Sequence, residues 1–99
     1  MGYYTRFELE VISGNDYETD YEEAVIKQVD YNPLVEETKW YGCEVDMKEV
    51  SKQYPKVLFK LIGEGEDAGD LWEAYFKNGK MQMCKAEITF QEFDESKLS

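Results

Sequence analysis

The chain has 99 residues, 42% of them hydrophobic and 15% aromatic, which is material for one modest core and leaves no room for a second domain. Asp and Glu number 22 against 11 Lys and Arg, with no His, a formal net charge of -11, so free nucleic acid and anionic membrane are repelled and a macromolecular partner is expected to be basic. The lack of histidine, with Cys43 and Cys84 too far apart for any CxxC spacing, argues against structural zinc and against Cys-His or Ser-His catalysis.

The opening "MGYYTRFELEV" has no basic segment leading into an apolar stretch, and no apolar run approaches a membrane span, so a cytoplasmic protein is expected, with both cysteines as reduced, partly buried thiols. Residues 3 to 12 alternate: Tyr3, Thr5, Phe7, Leu9 and Val11 fall on one side, and Tyr4, Arg6, Glu8, Glu10 and Ile12 on the other. This is the period of a strand with one buried face. "SGNDYE" then breaks the pattern, and Thr19 and Glu22 stand at the spacing of a capping box before Tyr21, Ala24, Val25 and Val29, the stripe of a first helix.

"YNPLVEET" reads as a connection into a short strand around "TKWYG". A second helix is expected from Asp46, capped by Asp46 with Glu49 and stapled by Val45 against Val50, burying Met47, Val50 and Tyr54 and ending at Pro55. "KVLFKLIG" is apolar on both parities, as in a central strand. "DLWEAYFK", Asn78-Gly79 and "KMQMCKAEITFQEF" predict a hairpin, because Asn-Gly supplies the two positive φ angles of a type I′ turn; the tail 94–99 is expected to fray. Two helices with one apolar stripe each, set among strands joined by tight turns, predict a single α+β domain over residues 1–99. Its form is a two-layer sandwich, a mainly antiparallel sheet of four to five strands with two helices on one face, a ferredoxin-like variant.

The stretch "GEGEDAGDLW" at residues 63–72 crowds glycines and carboxylates together. A nucleotide loop here would have to open a helix, yet a strand pattern follows, and Glu64, Glu66, Asp67 and Asp70 repel phosphate. The spacing is wrong for an EF-hand, so no metal or other cofactor is assigned. Gly63 and Gly65 are expected to bend a strand-to-strand connection. No catalytic residue is identified. Trp40, Trp72 and the tyrosines lack the basic groove that accompanies base-stacking platforms, which points to packing for most of them.

Charge distribution is the remaining signal. Between Phe7 and Glu23 there are seven acidic residues and no basic one, and between Leu61 and Phe76 five and none. The candidate partner-binding residues are therefore Asp16, Glu18, Asp20, Glu22 and Glu23 with Glu64, Glu66, Asp67 and Asp70, able to present carboxylates where a nucleic-acid-binding protein expects phosphates.

The pattern from "KWYG" through Ser51, Tyr54-Pro55, "FKLIGEGE" and Asp70-x-Trp72 resembles small proteins of phages and mobile elements, and is similar to the ferredoxin-like domain of Api92-type plasmid and phage proteins. The resemblance covers residues 39 to 80. It implies the fold and a phage setting in a bacterial host, and brings no catalytic residues. The expected function is that of a non-enzymatic phage protein that blocks a basic host defence protein, a CRISPR effector or restriction complex. The alternatives are a protein that sequesters a nucleotide-type ligand in an aromatic pocket, which a homodimer could build from two chains, and a structural accessory domain with an ordinary acidic surface.

Overall fold

The computed structural model describes residues 3–87 and 91–99. Strand β1, Thr5–Ser13, keeps the alternation: Phe7 is buried and Leu9 and Val11 pack on the core. Its regular pairing breaks between Val11 and Ser13, where a bulge precedes Gly14 at φ 75°. Only glycine fits there, since a Cβ would meet the carbonyl of Lys56.

Helix α1, Tyr21–Val29, is capped one residue later than the Thr19–Glu22 box predicts. Asp20 accepts from the Glu23 N–H at 3.1 Å, and Asp30 ends the helix in the left-handed region at φ 71°. Strand β2 is only Glu37–Thr38 and shares just Thr38 with the expected "TKWYG". Helix α2, Cys43–Gln53, starts three residues ahead of Asp46. The Asp46 carboxylate is not a cap because it accepts the Trp40 indole N–H at 2.7 Å, while its own N–H bonds Gly42 O at 3.0 Å as the first intrahelical bond. Val45 is consequently 67% exposed and forms no staple.

Strands β3 (Leu58–Gly65), β4 (Leu71–Lys77) and β5 (Lys80–Lys85) form a meander. The predicted hairpin is present, with Asn78 at φ 49° and Gly79 at φ 79° between paired Lys77 and Lys80. β5 stops at Lys85; residues 88–90 of the longer predicted strand lie outside the described residues, and 91–93 are not strand. The tail holds one exposed 3-10 turn, Glu95–Lys97, capped by Asp94.

The sheet order is β2-β1-β3-β4-β5, every neighbour antiparallel. β3 lies at the centre, which explains its apolar character on both parities. The helices lie on one face, giving the two-layer α+β sandwich that the sequence predicts. Between the layers Phe59, Leu61, Met47, Val25 and Val50 are fully enclosed, each contributing about 1.5–3 kcal/mol by leaving water. Tyr21 stacks edge-on against Phe59 and Tyr54, and Phe7 against Trp40 and Trp72. Among the described residues no helix is long and apolar enough to cross a membrane.

Both cysteines are free, as expected. Cys43 is 8% exposed at the start of α2, and burial, with Glu44 nearby, pushes its thiol up to about 11. Folded protein at about pH 8 is expected to yield one fast-reacting thiol per chain, Cys84, and two in denaturant. Two fast thiols in the folded state would contradict the placement of Cys43.

Candidate functional site

Antiparallel pairing of β1 with β3 decides where the candidate carboxylates go. Thr5 pairs with Gly65 and Val11 with Phe59, so the 16–23 segment leaves one end of β1 and the 64–70 segment sits at the other. At about 3.3 Å per residue the two ends of β1 are about 25 Å apart. The structure therefore separates the nine residues into two sites rather than one acidic patch.

The first site is fixed by its own hydrogen bonds. Asp16 accepts from the Glu18 N–H at 2.9 Å and the Thr19 hydroxyl at 3.4 Å, and its N–H donates to Tyr21 Oη at 2.8 Å. With Asp20 committed to the cap of α1, two of the five carboxylates hold the segment in shape. Glu18, Glu22 and Glu23 are left exposed and form no ion pair among the described residues. Glu22 and Glu23 lie in the first turn of α1, where the helix dipole favours negative charge.

The second site is built around Tyr3. Its hydroxyl donates to the Asp70 carboxylate and accepts the Asp67 N–H at 3.0 Å, while Gly65 N–H bonds Asp70 O at 2.8 Å across the loop. The bend itself comes from Gly69 at φ 84°, not from Gly63 and Gly65 as the sequence suggests. Those two lie in β3 and create room: a Cβ on Gly63 would fall inside the Trp72 indole, and one on Gly65 would strike Asp70 and Tyr3 Oη. Asp70 is thus structural, Glu64 belongs to the sheet opposite Arg6, and Glu66 and Asp67 point to solvent.

The Asp70 bond, which needs the phenolic proton, raises the Tyr3 pKa above its ordinary 10.0. A raised folded value means stability that is complete below the unfolded pKa and lost as pH rises through the folded one. Above about pH 10 the parent is expected to lose melting temperature more steeply than Tyr3→Phe, which has no such proton. Parallel pH profiles for the two proteins would show that the Tyr3–Asp70 bond does not hold the loop.

The sequence reading missed the charge network on the face of the sheet away from the helices. Lys60 Nζ lies 3.2 Å from Glu73 and 3.7 Å from Glu10, beneath the Tyr75 ring at 5.9 Å. Glu73 above all, with smaller contributions from Tyr75 and Glu10, raises the Lys60 pKa against the opposing effect of desolvation. The register that aligns Glu10, Lys60 and Tyr75 in one row joins β1, β3 and β4, and alternation within β1 and within β3 was the only trace of it in the sequence.

The resemblance motif consists of residues that hold the fold. Trp40 is buried and bonds Asp46, Ser51 Oγ accepts the Gly79 N–H at 2.8 Å, Gly63 seats Trp72, and Asp70 anchors Tyr3. Both tryptophans pack edge-on against Phe7, Trp40 buried and Trp72 half-buried. Among the described residues no three carboxylates or thiols gather as metal ligands. No family model, curated protein or solved structure matches this chain.

Proposed function

We propose that this is a non-enzymatic accessory protein that binds and blocks a basic, nucleic-acid-handling host protein, an inhibitor of the anti-CRISPR or anti-restriction type acting in the bacterial cytoplasm. The observation that carries the reading is that each acidic end is held in shape by its own hydrogen bonds while its remaining carboxylates stand exposed, with no ion-pair partner among the described residues. Pre-organised charge loses little entropy on docking, and uncompensated charge steers a basic partner. Glu18, Glu22 and Glu23 form one contact and Glu66 and Asp67 the other, about 25 Å away along the strand axis. Asp16, Asp20 and Asp70 keep these in place.

The test is inhibition of a panel of purified CRISPR effectors and restriction endonucleases. A hit is expected to weaken by at least about tenfold in Glu18→Lys/Glu22→Lys/Glu23→Lys or in Glu66→Lys/Asp67→Lys. It is also expected to fade between about 50 and 500 mM salt. A variant reversed at all five positions that folds and inhibits like the parent would remove the acidic ends from the mechanism, and a panel with no inhibited member would remove the function.

A further inference from the structure

We infer that the face of the sheet turned away from the helices is the interface of a homodimer. The helices occupy the opposite face, and on this one the register sets the side chains in rows. Glu8, Ile62, Glu73 and Cys84 cross the sheet in one row, and Glu10, Lys60, Tyr75 and Gln82 in the next. In a chain of net charge -11 the four long strands present acids and bases in equal number here, and the two signs are sorted by position.

One corner, where β1 runs beside the end of β3, carries Glu8 and Glu64 and is bordered by Leu34 and Val35; Glu10, one row on, is engaged by Lys60, and Arg6 by Glu37, each at 3.7 Å. The diagonally opposite corner, at the β4–β5 turn, carries Lys77 and Lys80. These are paired with each other across the strands and have no ion-pair partner among the described residues. Like charges set directly opposite are unfavourable until something negative covers them. Between the corners runs an apolar diagonal of Ile12, Leu58, Ile62, Tyr75 and Leu71, with Ile12 48% and Leu71 43% exposed. The charges inside this band, Lys60 and Glu73, already neutralise each other.

A two-fold axis lying along the band exchanges the two corners. It sets the acidic corner of each copy on the basic corner of the other and closes the apolar diagonals together, with the sheets crossing near a right angle. A uniformly basic partner would be repelled at Lys77 and Lys80, and a uniformly acidic one at Glu8 and Glu64. A second copy satisfies both corners at once. Glu18, Glu22, Glu23, Glu66 and Asp67 are not used, so this dimer stands or falls independently of the proposed inhibition.

Sedimentation equilibrium from about 10 μM to about 1 mM is expected to show a monomer–dimer equilibrium, as fits a face of four strands, small among specific interfaces. Lys77→Glu/Lys80→Glu and Glu8→Lys/Glu64→Lys, which spare the Lys60 network, are each expected to weaken dimerisation at least about tenfold while the circular dichroism melt stays intact. Mixed in equal amounts, the two variants present opposite corners to each other and are expected to dimerise again. If either variant melts early, the glutamine versions K77Q/K80Q and E8Q/E64Q give the same comparison without reversed charge. A parent that stays monomeric throughout, a dimer that survives both substitutions, or a mixture that fails to restore it would overturn the interface.

Discussion

Replacing Gly63 by valine is expected to destabilise the domain by about 3 kcal/mol, seen as a lower urea midpoint with an unchanged denaturant slope. The Trp72 indole lies where the new side chain would stand, and Trp72 cannot retreat because Phe7 packs edge-on against it with centroids 6.0 Å apart. Nor can β3 move, since residue 63 is paired with Phe7 on one side and Trp72 on the other. The same substitution in a Trp72→Ala background, where the space is vacant, is expected to cost less than half as much. Equal cost in both backgrounds would place the strain somewhere other than the indole.

Gly79→Val is expected to cost about 2–3 kcal/mol, from two sources that can be separated. At φ 79° a β-branched residue strains the turn, and the distortion pulls the residue 79 N–H from Ser51 Oγ. Ser51 is fully enclosed and also donates to Lys48 O, so it ties α2 to the hairpin at a point that water does not reach. Ser51→Ala isolates that bond and is expected to cost about 1–2 kcal/mol, measured by thermal or urea melting. A Gly79→Val protein that melts with the parent would contradict both the turn and the tie.

Features set by neighbours in the chain were legible in the sequence. The alternation of β1, the Asn78-Gly79 turn and the apolar stripes of both helices depend on a few adjacent residues, and they gave the layer architecture. Features set by distant contacts were not. Asp46 has the spacing of a cap, yet the indole of Trp40 claims its carboxylate. Gly63 and Gly65 look like bend residues, yet their role is to make space for Trp72, Asp70 and Tyr3, which no local pattern reveals. The candidate carboxylates form two charge runs in the sequence, but only the β1–β3 register shows that they lie at opposite ends of the sheet. That register also aligns the rows of the open face.

The pairing of Thr5 with Gly65 also sets an order of events for a newly made chain. The β3–β4–β5 meander closes through short connections, whereas β1, made first, has no central partner until Leu58–Gly65 has been synthesised. Closing so long a loop is entropically slow, and Phe7, Leu9 and Val11 remain uncovered until β1 meets β3. Until then β1 is an unprotected apolar segment, and the charges of Arg6, Glu8 and Glu10 that alternate with its apolar residues keep it soluble while it waits.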